Sequence, residues 1–343
     1  MLTLLAGCKG VEKEKLPLNV LFIVVDDLRP DLGCYGDTVA VTPNIDRLAE
    51  KGMTFANACC QQAVCVPSRT SFLTGRRPDH TGVYGFNSFR KTLPDVVALP
   101  EYFKRNGYYT MSFGKVFDNH TARGMDPRSW SEPERFPVSN KSDQYVLPEN
   151  RTGKKATATE KADGPDEMYI DGEMTEEVVK TLEQLPDKPF FLAVGFRKPH
   201  LPFSAPSKYW DLYDPDQLKT AEQVAGKDCP DIALHDNREL RGHTDIPDTG
   251  LVPVDKALEL RHGYYACISY IDAQIGGLLD ALKANKLDKN TIIVLFSDHG
   301  FHLGEHSLWC KTSNFELDAR VPLIISVPGQ KIKGIHTQSL AEL

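Results

Sequence analysis

The residues able to do chemistry fall in a few short stretches: Asp26-Asp27, Cys65-Val66-Pro67-Ser68-Arg69, Lys115, His200, Asp298-His299 and Lys311. Asp26-Asp27 closes one apolar run and Asp298-His299 another. Carboxylates that converge against an apolar rim cannot all stay ionised without protonation or a cation. Carboxylate oxygens suit a hard divalent ion such as Ca²⁺ or Mg²⁺, for which His299 is an awkward partner. A lone Asp at a strand end more often caps the next turn; acids at the ends of two separate strands favour a shared site.

Cys65 stands just before a helix that Pro67 opens. Free backbone N–H groups and the helix dipole there favour negative charge or an incoming anion. Arg69, on the first turn, can pair bidentately with a tetrahedral oxyanion. Acids at Asp26 and Asp27 would raise the pKa of a neighbouring thiol, a poor arrangement for a plain Cys nucleophile. The stretch makes better chemical sense if Cys65 does not remain a thiol.

These side chains need elements to hold them. Asn19–Val25 (NVLFIVV), Phe190–Phe196 (FFLAVGF), Thr291–Phe296 (TIIVLF) and 321–327 are short continuous apolar runs, as in strands buried on both faces of a parallel sheet. Tyr108–Phe113 reads as a further strand. Helices are expected from Pro43 to Lys51, Pro67 to Thr74, Leu93 to Asn106, Glu167 to Leu185 and Pro253 to Leu287. The last has apolar residues every three or four positions from Leu260 to Leu282. Asp118–Lys161 reads as a long excursion or lid, and Ser204–Asp248 as loop-rich. Alternating strands and helices imply an α/β fold in which ligands sit beyond the carboxyl ends of the strands. Four strands would deliver Asp26-Asp27, Lys115, His200 and Asp298-His299 to that one edge.

The chain has 343 residues, 41% hydrophobic and 25% charged, enough for a large core without staples. A formal charge of −7 and the lack of a basic stripe exclude a nucleic-acid binder. The eight cysteines form no C-x-x-C pair and no small disulfide framework. No apolar run reaches the roughly 20 residues needed to span a bilayer. Leu5-Ala6-Gly7-Cys8 resembles a bacterial lipobox, so residues 1–18 read as a curtailed lipoprotein signal with a tether. That implies export to the bacterial periplasm or lipid anchoring at Cys8. Residues 19–343 read as one catalytic domain whose smaller C-terminal subdomain is missing. His302 and His306 invite a zinc reading but lack helical metal spacing, and fit a pocket rim better. Trp210, Tyr209 and Tyr213 could stack on a sugar or anchor a loop. Cys59-Cys60 read as small buried hydrophobes.

Cys65–Arg69, continued by Thr70 to Arg76, resembles the C-x-P-S-R…T-G signature of the formylglycine-dependent sulfatases. FLTGRRPD (72–79), FFLAVG (190–195) with Lys198-Pro199-His200, and SDHG (297–300) with GEH (304–306) resemble the iduronate-2-sulfatase branch. The resemblance implies an alkaline-phosphatase-like sandwich: a mostly parallel central sheet flanked by helices. It implies that Cys65 is oxidised to formylglycine by a formylglycine-generating or anaerobic sulfatase-maturing enzyme. Asp26, Asp27, Asp298, His299 and the modified Cys65 would then hold one Ca²⁺. Lys115 and Lys311 would bind the sulfate, Arg69 would hold the hydrated aldehyde, and His200 would sit beside the leaving oxygen. The family's usual His, three residues after the first lysine, is Asp118 here, and His120 is expected in its place. A hydrated aldehyde offers one hydroxyl to attack sulfur and a second whose deprotonation expels sulfate. The implied substrate is a sulfated glycan, at the 2-O-sulfate of a uronic acid. The alternatives are a phosphate or phosphonate monoester hydrolase of the same superfamily, and a non-catalytic lipoprotein that binds anionic glycans.

Overall fold

The computed structural model describes residues 17–118, 125–136, 144–152 and 155–343. The lipobox, including Cys8, and His120 therefore lie outside the described residues.

The strands are β1 (Asn19–Val25), β2 (Met53–Cys59), β3 (Tyr109–Gly114), β4 (Thr159–Ala162), β5 (Phe190–Phe196), β6 (Phe203–Pro206), β7 (Thr291–Ser297), β8 (His302–Leu303), β9 (Trp309–Cys310), β10 (Arg320–Val321), β11 (Leu323–Ser326) and β12 (Ile335–Glu342). The main sheet runs β10-β2-β11-β7-β1-β5-β3, with β12 also paired to β2. β7, β1, β5 and β3 are mutually parallel, while β10 and β11 pair antiparallel.

Every residue of β1 and β5 is buried, because both faces of the sheet carry helices. The period-two alternation of a strand sorts them. Leu21, Ile23 and Val25 join Leu192, Val194 and Phe196 in one core, while Val20, Phe22 and Val24 join Phe191 and Ala193 in the other. The first core packs on the helix Val254–Ala284, where Leu260, Tyr264, Ile271, Ile275 and Leu278 are buried. The second packs on the helix Cys65–Thr74: Phe72 lies 6.2 Å from Phe22 and 4.9 Å from Phe296 between ring centroids.

Several sequence expectations change. The run 321–327 is two strand pieces, split at Pro322, and its direction is antiparallel, not parallel. The helix expected from Leu93 begins only at Leu99, since Pro94 and Pro100 suit a start and not an interior. Strands β2 and β12 were not expected: MTFANAC is interrupted by Thr54 and Asn57 and has no continuous apolar run, and all eight residues of β12 are half-buried or exposed. The excursion 118–161 ends in β4, which pairs with β6 in a small separate sheet.

Candidate active site

β1, β3, β5 and β7 run parallel, so their carboxyl ends meet at one edge. Asp26-Asp27 follows β1, Lys115 follows β3, the turn carrying His200 follows β5, and Asp298-His299 follows β7. Cys65 opens its helix against the same edge, with Val64 extended as the residue before it. Gly114 (φ 73°) lets the chain turn there: a Cβ would lie 2.2 Å from the Gly195 carbonyl oxygen.

The floor is buried and its charges are matched. Lys115 Nζ donates to Asp26 Oδ2 at 2.6 Å and lies 3.4 Å from Cys65 Sγ. Arg69 bridges two strands, donating from Nη2 to Asp26 Oδ1 (3.1 Å) and from Nε to Asp298 Oδ2 (3.0 Å). Its Nη1 donates to the Lys115 carbonyl oxygen. Lys311 Nζ donates to both oxygens of Asp27 at 2.9 Å. Arg69, Asp26, Asp298, Lys115 and Lys311 are at most 4% exposed. Lysine and arginine thus relieve part of the carboxylate repulsion that the sequence alone assigns to a metal.

Electrostatics separates the two aspartates. Burial works against the Asp26 carboxylate, but Lys115 and Arg69 outweigh it and hold the group well below the usual carboxylate range. Burial pushes Asp27 up to about 7, against Lys311, with Asp26 adding to the rise. Burial and then Asp26 push the Cys65 thiol well above its ordinary value. A neutral thiol is a poor nucleophile.

Asp26, Asp27, Cys65 and His299 offer ligand atoms all within 4.8 Å of one another, and all four are buried. Two of the four are carboxylates, which suit a hard divalent cation that would keep Asp27 ionised; the thiol and the imidazole are softer donors. His299 Nε2 lies 3.3 Å from Cys65 Sγ, and its Nδ1 lies 3.3 Å from Asp27 Oδ1. Asp298, the remaining expected ligand, adjoins this group. Its Oδ1 accepts from the backbone N–H of Asp27 and His299, and its Oδ2 accepts from Arg69.

Above the floor opens a cavity of about 800 Å³, bordered by Cys65, Lys115, Asp118, His200 and Lys311. His200 Nδ1 lies 2.6 Å from the Leu201 carbonyl oxygen, and its Nε2 lies 2.9 Å from Glu239 Oε1. Glu239 Oε1 also accepts from Lys311 at 3.1 Å. Burial disfavours the Glu239 carboxylate, but Lys311 and His200 hold it well below the ordinary range. Sequence reading missed Glu239, because one acid in a charged, irregular stretch carries no pattern. Asp118 is buried at the cavity wall.

The remaining candidates sort plainly. Tyr209, Trp210 and Tyr213 are buried anchors: Tyr209 donates to Asp166 Oδ2 at 2.7 Å and Trp210 to the Ala205 carbonyl at 3.2 Å. His302 Nδ1 sits 2.5 Å from Asp318 Oδ1, and its Nε2 lies 3.3 Å from His306 Nδ1. Asp318 holds the far ring nitrogen of His302, and among the described residues these groups form no cluster of three ligand atoms within reach of one another. Cys60 is buried and Cys59 half-buried.

Comparison with known proteins fits this geometry. Solved structures with the same fold include the phosphonate monoester hydrolase of Agrobacterium radiobacter, with a TM-score of 0.75 at 23% identity over 95% of this chain and 71% of that one. A 2-O GAG sulfatase superposes with a TM-score of 0.66 at 20% identity, covering 95% and 68%. The molecule thus has the alkaline-phosphatase-like α/β architecture. A profile of the sulfatase family matches residues 18–341, and the chain belongs to that family. It is 43% identical over 332 residues to the iduronate 2-sulfatases of Mus musculus and Homo sapiens, covering 91% of this chain and 60% of theirs. It is 35% identical to a sulfatase of Formosa agariphila, covering 94% of this chain and 68% of that one. The chain therefore spans about 60% of the length of the iduronate 2-sulfatases it matches.

Proposed function

We propose that the chain hydrolyses sulfate monoesters, with the 2-O-sulfate of a uronic acid in a sulfated glycan as its substrate. The observation that carries this reading is the buried floor. There Cys65, the acids Asp26 and Asp27, and the cations Lys115 and Lys311 converge beneath one open cavity. Likeness to the iduronate 2-sulfatases supports the choice of ester.

Cys65 is the nucleophile's position, and its raised pKa argues against a thiolate mechanism. Oxidation of Cys65 to formylglycine by a maturing enzyme would supply a hydrated aldehyde, with one hydroxyl for attack and one for release. Asp26, Asp27, His299 and the modified Cys65, with Asp298 beside them, would hold a Ca²⁺ ion that supplies charge stabilisation to the sulfate and to the nucleophile. Lys115 and Lys311 place fixed positive charge where sulfate oxygens gather negative charge, in a site shielded from water. Arg69 locks the relative positions of Asp26 and Asp298. His200 borders the cavity, with Nε2 beside Glu239, and can give a proton to the departing alcohol oxygen. His120 is proposed to take the proton from the second hydroxyl. Export and lipid anchoring at Cys8 are part of the same proposal.

The test is a paired assay on protein co-produced with a maturing enzyme. A 2-O-sulfated uronate and its phosphate counterpart are offered, and the Cys65 peptide is weighed. Sulfate release with an aldehyde at Cys65 is the expected result. Faster phosphate release, or an unmodified thiol without turnover, overturns the proposal.

A further inference from the structure

Tyr209, Trp210 and Tyr213 are committed to the core, so the aromatic surface open to a sugar ring lies elsewhere. Phe86 borders the same cavity as Cys65, Lys115 and His200, yet it is 75% exposed. The other aromatic side chains at this cavity, Tyr145 and Trp309, are buried. Phe86 therefore offers the one free ring face at the cavity among the described residues.

Its loop is held at both ends. Val83 is fully buried, and Phe89 stacks on Phe117 with centroids 5.6 Å apart and planes 7° from parallel. Gln62 Nε2 donates to the Tyr84 carbonyl oxygen at 3.1 Å. Gly85-Phe86-Asn87 projects between these anchors, so the ring is presented by a fixed support. A single exposed apolar side chain is ordinary on a protein surface; what distinguishes Phe86 is its place at the rim of the cavity that opens onto Cys65, Lys115 and His200.

The cavity has a charged floor, where Cys65 is nearly inaccessible, and an aromatic lip. Its volume of about 800 Å³ is at the upper end of small-molecule sites and exceeds what one sulfated sugar needs. We propose that Phe86 is a specificity-determining residue whose ring stacks against the sugar next to the sulfated residue. A pyranose chair turns weakly positive C–H bonds toward one face, which suits the negative face of an aromatic ring. Its hydroxyl edge would then have polar groups within the same cavity, whose lining includes Gln144, Asp236 and Arg238. The contact is uncharged, so it selects for a glycan chain and not merely for more negative charge. This proposal rests on the sulfate-ester reading and adds the length of substrate that the site recognises.

The experiment compares a sulfated uronate monosaccharide with a disaccharide carrying the same sulfated residue, on the full chain co-produced with a maturing enzyme. Phe86→Ala is expected to raise KM for the disaccharide at least tenfold with kcat within twofold, the mark of lost binding that ground and transition states share. KM for the monosaccharide should stay within twofold, and the thermal midpoint should not shift beyond the scatter between preparations. Phe86→Trp should keep the disaccharide KM, whereas Phe86→Leu, apolar but without a ring face, should not. An unchanged disaccharide KM in Phe86→Ala, or an equal loss on both substrates, overturns the stacking proposal. Wild-type protein that releases no sulfate from either sugar would instead count against the sulfate-ester reading.

Discussion

At the floor of the cavity each charge arrives at the end of a strand or on the helix and hairpin beside it, and each meets a partner of opposite sign. The outer wall, from His235 to His243, lies on an irregular segment broken only by the short helix Arg238–Arg241. It is fastened chiefly by side chains that reach backbone groups. Asn237 accepts from the Trp309 N–H at 2.9 Å and donates to the Ser307 carbonyl at 3.1 Å, clipping the wall to the hairpin that precedes Lys311. Arg241 reaches the carbonyls of Asp236, Pro247 and Gly250. Stability and function are coupled at the floor, where each residue serves both because removing one partner strands a buried charge; at the wall the two roles can fall on different residues.

The strongest way to break this contrast is Lys115→Met. It leaves Asp26 with Arg69 as its remaining ion-pair partner, and should lower sulfate release by about 10³-fold, as loss of a preorganised charge does. Denaturant unfolding should show a loss of about 3–5 kcal/mol, the cost of breaking a buried pair. A fully stable but inactive variant would separate the two roles and contradict the coupling.

Acid pH probes the wall next. Burial lowers His243 to about 4, with Lys155 contributing, and its Nδ1 lies 3.1 Å from the Thr157 carbonyl. Between pH 6.5 and 4 the unfolded chain binds this proton and the folded chain does not. The stability from a neutral His243 is therefore full above pH 6.5 and drains as pH falls toward 4, by on the order of 3 kcal/mol. Thermal midpoints across that range should fall less steeply for His243→Asn than for wild type. Equal slopes would remove His243 from the account.

Asn237→Ala comes third, losing two hydrogen bonds at a buried residue and costing about 2 kcal/mol in urea unfolding. Glu239→Gln has the smallest effect on stability, under about 1 kcal/mol, because the side chain is partly open to solvent. It should still lower kcat/KM for a sugar sulfate by about tenfold, since it holds His200 and Lys311 together. A stability loss as large as that of Lys115→Met would place Glu239 with the floor.

The floor was legible in sequence because continuous apolar runs announce buried parallel strands, and whatever follows such a strand lands on one edge. Asp26, Asp27, Lys115, His200, Asp298 and His299 all follow that rule. Lys311 was legible only through its neighbours Trp309-Cys310 and the family resemblance, since β8 and β9 are two residues each. β2 escaped notice because its residues pack partly against neighbouring strands and carry little apolar pattern. Glu239 and Phe86 escaped because loop conformation decides whether such side chains face a cavity, and no periodicity encodes it. The buried aromatics Tyr209, Trp210 and Tyr213 drew attention by composition alone, and packing put them elsewhere.

The most direct measurement is sulfate release from a 2-O-sulfated uronate by matured protein that has been stripped with chelator, then assayed before and after calcium is restored. If Asp26, Asp27, His299 and a modified Cys65 hold the cation as proposed, stripped protein should retain under about 1% of the rate, and calcium should recover it. Equal rates in stripped and replenished samples would contradict the account at its centre.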